Sequence, residues 1–148
     1  MHLRYMEEIK YGIVSIDEYD YSFNYDANLE NMDISAVRYR LSHHLRPNKE
    51  KNQIEVRIKV SVYSPDSTVL LAEDAVRVVF LVEPFGSFVV NATEEGFNVT
   101  QPVLMDTLFG VAIGALRGLL SKSLKGTPLS GCVLPLIPMK DIRKNTQK

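Results

Sequence analysis

The chain has 148 residues, of which 45% are hydrophobic and 24% are charged, and its formal net charge is −1. This length predicts one domain with a single core, and the balance of apolar and charged residues excludes a disordered chain. The single cysteine excludes an internal disulfide. Near-neutrality argues against a protein that binds nucleic acid through a strongly basic surface.

The two ends of the chain differ in character. The first twelve residues, MHLRYMEEIKYG, contain no apolar segment and no small-residue cleavage site, so we expect no secretory signal and a cytoplasmic protein. Residues 101–148 hold 7 basic and 2 acidic side chains, and the end of the chain is basic. We expect one domain over residues 1–148, with its core at about 9–142 and a mobile basic tail at 143–148.

The N-terminal part of the chain is predicted to be extended. Residues 9–16 are rich in β-forming side chains, and aromatic residues then alternate with acidic or small polar ones. The aromatic residues at every second position are Tyr19, Tyr21, Phe23 and Tyr25. In a regular strand such residues share one face. The sequence therefore predicts an aromatic stripe, which is either part of the core or an exposed binding surface.

Three further segments, 35–45, 53–63 and 75–82, show the alternation of apolar and polar residues that is typical of strands with one buried face. Pro47 and Pro65 lie in turn-like contexts beside these segments. Consecutive strands without an intervening helix favour an antiparallel meander or Greek key.

A long helix is predicted over residues 103–120. Thr100 or Gln101 can cap it, and Pro102 suits its first turn. Its apolar arc covers about 200°, whereas a surface helix needs about 100°. One sheet covers only one side of a helix, so we expect a second subunit on the other side. The residues expected at that interface are Leu104, Leu108, Gly110, Ala112, Gly114, Ala115 and Gly118.

The same helix also invites a membrane-spanning interpretation. Asp106 and Arg117 argue against membrane insertion, because each would cost about 2.5–3.5 kcal/mol at the bilayer centre. The uninterrupted apolar run between these two residues is ten residues long, which is about half of what a membrane span requires. A buried helix is the better interpretation.

After a turn region, residues 133–139 form an apolar segment that contains Pro135 and Pro138. Two prolines exclude a regular helix or a central strand. The segment is therefore expected to be extended and to pack against another part of the protein.

The sequence contains no catalytic motif: there is no nucleophile elbow, Walker loop, dinucleotide-binding loop or zinc-protease motif. Cys132 is followed by valine and leucine, which predicts a buried structural thiol. His43 and His44 are adjacent, so in a strand they point to opposite faces and do not share one metal ion. We predict that the protein is not an enzyme and has no metal or cofactor site.

Three places in the chain resemble the SecB export-chaperone family. Ile13-Val14-Ser15-Ile16, followed by Asp20-Tyr21-Ser22-Phe23, resembles the family's first strand. Pro102 to Leu120, with its Leu108-Phe109 step, resembles the long helix. Val133-Leu134-Pro135-Leu136-Ile137 resembles the short segment before the last helix. The resemblance covers nearly the whole chain, and its departures from the family pattern indicate a divergent member.

The resemblance implies an α+β fold with a four-stranded antiparallel sheet, one long helix and a short C-terminal helix. It also implies a homotetramer built as a dimer of dimers, with the long helices between the sheets. The implied function is ATP-independent holding of unfolded polypeptides, such as preproteins, for export or folding. The partners would be unfolded clients and a SecA-like translocation motor, without nucleic acid and without membrane insertion.

A hydrophobic groove would bind these clients, because burial of apolar side chains is non-directional and tolerates many sequences. The candidates for the groove are Tyr19, Tyr21, Phe23, Tyr25, Leu134, Leu136, Ile137, Met139 and Ile142. Two other functions stay open at this point. One is a chaperone dedicated to a single partner such as an antitoxin, and the other is a non-catalytic binding or structural module.

Overall fold

The computed structural model of the chain describes residues 9–94 and 96–146. Its elements in chain order are β1 (Lys10–Phe23), a 3-10 turn (Ile34–Ala36), β2 (Arg38–Asn48), β3 (Gln53–Tyr63), β4 (Leu70–Glu83), α1 (Phe85–Phe88), β5 (Val89–Thr93), β6 (Gly96–Val99), α2 (Pro102–Ser123) and α3 (Met139–Thr146). The first four strands form an antiparallel sheet in the order β1-β4-β3-β2, and β5 pairs with β6. The predicted α+β fold, with one long and one short C-terminal helix, is confirmed.

The core lies between the two central strands and α2. On β3, every second side chain is buried and the residues between them are half-buried on the other face, as the alternation predicts. The buried side chains of β3 are Ile54, Val56, Ile58, Val60 and Val62. Each of these contributes roughly 1.5–3 kcal/mol by leaving water, so this contact is the main source of stability.

Helix α2 begins at Pro102, directly after Gln101, as the sequence predicts. It is long and apolar enough to cross a membrane by length and composition alone. One side of it, however, packs on β3 and β4 and carries eight buried residues. This packing is that of a core helix. Burial of one side against the sheet accounts for much of the apolar character of α2.

The helix leaves one edge of the sheet uncovered. Tyr11, Ile13 and Ile16 of β1 are paired with buried residues of β4 and share their face, but their side chains are 54%, 53% and 46% exposed. We call these three residues the open β1 face. An apolar edge strand left open in this way is a surface that normally finds a partner.

The predicted aromatic stripe on one side of β1 is wrong at Tyr19, whereas Tyr21 and Phe23 share the helix-facing side. The pairing of β1 with β4 shifts register between Glu18 and Asp20, and such a bulge reverses the side to which the following residues point. Tyr19 lies under the guanidinium of Arg57 on the polar face of the sheet, 5.4 Å from the ring centroid. Tyr21 belongs to the helix side, because its hydroxyl donates to the Ser123 carbonyl oxygen of α2.

Two boundaries differ from the prediction. Pro47 lies in β2 opposite Ile54 and not in a turn, because β2 is an edge strand, where a residue without an N–H is tolerated. Helix α3 extends to Thr146, beyond residue 142 where the core was expected to end, and the mobility of 143–148 stays a prediction. Residues 147 and 148, and the side chains of the last four helical residues, lie outside the described part of the chain.

One carboxyl group is buried in the core. Asp74 of β4 is fully buried beside Tyr21, and its Oδ1 accepts a hydrogen bond of 2.9 Å from the Ala75 N–H. Among the side chains that the structure describes, its Oδ2 is the one buried polar atom without a hydrogen-bond partner. Burial and the neighbouring Glu18 carboxyl raise the pKa of Asp74 to about 8, so the side chain is protonated at neutral pH.

This pKa predicts how stability depends on pH. In the unfolded chain an aspartate titrates near pH 3.9, so between about pH 4 and pH 8 the folded state binds more protons than the unfolded state. The contribution of Asp74 to the free energy of unfolding should therefore fall as pH rises through this range. Chemical denaturation of Asp74→Asn should show a flatter profile, whereas Asp66→Asn, at an exposed turn, should keep the slope. An equal slope in wild type and Asp74→Asn would contradict the assignment.

Candidate functional site

The segment after α2 is fixed by one arginine of that helix. The Nε of Arg117 donates to the carbonyl oxygen of Leu134 at 2.8 Å, and its Nη2 donates to that of Pro135 at 2.9 Å. Cys132 and Leu134 are buried in the core, so the segment is held from both sides. Because the prolines prevent strand pairing, these side-chain and packing contacts determine the position of the segment.

A cleft of about 210 Å³ lies between this segment, α3 and the helix side of β2. β2 supplies mainly the side chains that face the helix, at positions 39, 41 and 43. The segment after α2 supplies Pro135 and Ile137. We call this site the β2 cleft. Its lining residues are Tyr39, Leu41, Ser42, His43, Ile58, Pro135, Ile137, Asp141 and Ile142.

The phenol of Tyr39 and the imidazole of His43 in the β2 cleft are held in their neutral forms. Burial, with a smaller effect of Cys132, raises the pKa of Tyr39 to about 12. Burial and the neighbouring His44 lower the pKa of His43, whose ring meets the edge of Phe109 at 5.3 Å between centroids. The cleft is therefore suited to apolar side chains with a few hydrogen-bonding groups beside them.

The Cys132 thiol, which interacts with Tyr39 of the cleft, is not activated as a nucleophile. Burial raises the pKa of the Cys132 thiol, which disfavours the reactive thiolate. In the ranges 9–94 and 96–146 there is no group of three or more histidine, cysteine, aspartate or glutamate side chains that could hold a metal ion.

The C-terminal candidates are divided between this cleft and its surroundings. Ile137 and Ile142 line the cleft, although Ile142 is only 5% exposed, and Leu134 is 1% exposed and lies in the core away from the cleft. Leu136 is 89% exposed beside the cleft. Met139 is half-buried against the core at the start of α3.

The aromatic candidates lie elsewhere. β1 and β2 are the two edges of the sheet with two strands between them, so they are about 14 Å apart. Tyr19 is on the polar face, whereas Phe23 is half-buried and its ring lies 4.9 Å from that of the exposed Tyr25. The structure therefore does not bring the aromatic candidates and the C-terminal candidates into one groove.

The residues predicted for a subunit interface are also divided. Leu104, Leu108 and Ala112 are buried against the chain's own sheet and leave little surface for a second subunit. Gly114 and Gly118 are exposed, and a Cβ at either position would meet no atom within 4 Å. Gly110 and Ala115 are half-exposed on α2.

Sequence reasoning missed the strand side of the β2 cleft. The alternation of Tyr39, Leu41 and His43 was visible, but nothing local indicated that the segment after α2 crosses this strand. It also missed Arg117 as the anchor, because an arginine on an apolar helix was interpreted only as a barrier to membrane insertion. The odd-numbered residues of β2 were the signal that could have identified the site.

No protein-family model matches the chain, and no curated protein sequence matches it. Among solved structures, the chain is similar to the SecB-like chaperone Rv1957 of Mycobacterium tuberculosis, solved in complex with a ChAD peptide from the Rv1956 HigA1 antitoxin. The TM-score is 0.55 at 12% sequence identity, over 86% of this chain and 90% of that chain. This similarity shows that the chain has a SecB-like fold.

The role of Arg117 can be tested by hydrogen exchange. Replacing it with methionine removes both hydrogen bonds to the segment and keeps a long apolar stem. Hydrogen bonds from charged groups are among the stronger ones, so we expect amide exchange in residues 132–139 to accelerate about tenfold or more while β3 stays protected. Arg117→Lys should give an intermediate rate. Unchanged exchange in Arg117→Met would show that packing alone holds the segment.

Proposed function

We propose that the protein is an ATP-independent chaperone that holds unfolded polypeptides in the β2 cleft. The observation that carries this proposal is a mostly apolar cleft beside an unpaired sheet edge, in a fold shared with a SecB-like chaperone. An unfolded client exposes apolar side chains and unpaired backbone groups, and such a site accepts both without demanding one sequence.

A single cleft of about 210 Å³ accepts only one or two apolar side chains at a time. Useful affinity for a long client therefore requires several clefts acting on one chain. We propose that the protein forms a homotetramer, a dimer of dimers, that displays four such clefts. A cytoplasmic location, where unfolded preproteins are available, belongs to the same proposal.

Two adjoining surfaces favour this assembly. One is the open β1 face, whose apolar residues stay about half exposed although α2 contacts β1 at Tyr21. The other is the outer side of α2, where Val103 is 75% exposed and Gly114 and Gly118 allow close approach of a second backbone. The core of a single chain covers neither surface, and a symmetric contact between copies would bury both.

A chaperone dedicated to one partner is the second candidate. The observation that favours it is the antitoxin peptide bound to the similar SecB-like chaperone of Mycobacterium tuberculosis. The two candidates differ in client range. If the protein prevents aggregation of several unrelated unfolded proteins, the general function holds. If it acts on one protein, and one protein dominates among those that co-purify with it, the dedicated function holds.

Docking to a SecA-like motor stays a prediction. The acidic groups on the polar face of the sheet are largely engaged within the chain: Glu55 pairs with Arg57 and Arg77, and Glu73 pairs with Lys59. A partner that recognises free carboxylates would have to compete with these ion pairs.

The location of the client site can be tested with two residues of similar exposure. Leu136→Ser removes an apolar side chain beside the β2 cleft, and Tyr25→Ser removes one near the end of β1. Both positions are open to solvent, so neither change should unfold the chain. In an ATP-free assay of aggregation suppression, we expect Leu136→Ser to require about threefold or more protein for the same effect, from the loss of roughly 1 kcal/mol per binding site.

Tyr25→Ser should behave like wild type in the same assay. The reverse pattern would place clients on the aromatic side of the sheet. A wild-type protein that suppresses no aggregation would remove the proposed function.

Assembly can be tested by mass in solution. The proposal predicts a particle of four chains, each of 16.7 kDa, in light scattering. Ile16→Glu places a charge on the open β1 face and should reduce the mass to that of a dimer or monomer, because the charge would have to be buried. The matched control Asp17→Asn, on the polar face of the same strand, should leave the mass unchanged. A monomeric wild-type protein would contradict the assembly.

A further inference from the structure

The polar side of β2 carries a row of basic side chains. Arg38, Arg40, His44 and Arg46 occupy four of the five alternate, exposed positions from 38 to 46 of this strand, on the opposite side from the β2 cleft, and Ser42 occupies the fifth. We call these four residues the basic row. Because alternate residues of a strand are about 6.6 Å apart, the row is about 26 Å long. Its arginines are charged at every physiological pH.

Among the residues in the ranges 9–94 and 96–146, the arginines of the basic row form no ion pair within 4.0 Å. Arg46 lies opposite Glu55 in the register, but the Glu55 carboxylate is engaged by Arg57 and Arg77. The ion pairs on the polar face join side chains of β3 to carboxylates of β3, β4 and β1, or Arg77 to Asp17 and Glu55. Arg40 instead lies over the ring of Tyr63, 5.0 Å from its centroid. On the central strands, the basic side chains are therefore paired with carboxylates, whereas the positive charges at the β2 edge are not.

The same edge has unpaired backbone groups. β2 is the last strand of the sheet and pairs only with β3. Within the described part of the chain, no backbone hydrogen bond joins residues 38–48 to any segment other than β3. An extended peptide can therefore add beside β2, with its alternate side chains pointing to the two sides of the sheet.

We infer that the β2 edge selects extended client segments in which apolar residues alternate with acidic ones. The apolar side chains face the β2 cleft, and the carboxylates face the basic row at the same spacing. Asp141 lines the cleft and disfavours the opposite register, which would bring carboxylates towards it. This inference rests on the proposed function and adds the chemistry of the client.

The test uses three labelled peptides of equal length, in which leucine or valine alternates with glutamate, glutamine or lysine. Fluorescence anisotropy with the full chain should give the tightest binding for the glutamate peptide. We expect about tenfold over the lysine peptide at low salt, since each opposite-charge cross-strand pair contributes modestly. The preference should weaken as salt is raised, because the pairs are exposed.

Matched variants show which charges are responsible. Arg38→Glu/Arg40→Glu/Arg46→Glu should reverse the preference in favour of the lysine peptide. Lys122→Glu/Lys125→Glu, which changes exposed lysines near the end of α2, should leave the preference as in wild type. Circular dichroism checks that each variant is folded, and the single variant Arg40→Glu replaces the triple variant if that one is not.

The failures of the two proposals are distinguishable. Equal binding of all three peptides would overturn the inference and leave the proposed function standing. Binding of none would overturn both. Charged edge strands also prevent sheets from aggregating. If the triple variant self-associates and keeps the wild-type peptide preference, the row only protects the edge, and the inference is wrong.

Discussion

The contact on which the structure depends is that of one helix against a sheet of four strands. α2 packs on β3 and β4, and their buried apolar side chains form most of the core. A helix with its side chains is about 10 Å wide, whereas four strands span about 14 Å between the axes of the outer two. The helix therefore covers the central strands, and the helix-facing sides of β1 and β2 need other partners.

The two edges meet this constraint in different ways. At β2, the segment that follows α2 returns over the strand and is fixed by Arg117, which leaves the β2 cleft between them. At β1, no segment among the described residues covers Tyr11, Ile13 and Ile16. The first edge thus forms a bordered cleft suited to short stretches of another chain, and the second forms an open apolar surface suited to a second copy. One packing constraint accounts for both parts of the proposed function.

The sequence predicted the fold well because the strongest signals lie in the core. The segment 53–63 and the helix predicted at 103–120 bury their apolar sides against each other. Each leaves a periodic pattern in the sequence, because burial of one side selects apolar residues at regular spacing. The details of β1 were not predictable in this way, since the bulge that moves Tyr19 to the polar face arises from pairing with β4. The β2 cleft was predicted in part: Ile137 and Ile142 line it. Its strand side required the path of the chain after α2, which local patterns do not contain.

The central claim is that an unfolded client occupies the β2 edge. Hydrogen exchange of the full chain, with and without a permanently unfolded client in excess, tests it directly. The account predicts slower amide exchange in residues 38–46 and 132–142 when the client is bound, because backbone groups of β2 and of the facing segment leave water. Amides of β3, already protected in the sheet, should not change. Protection confined to β1 and the aromatic residues near its end, with no change at β2, would contradict the account.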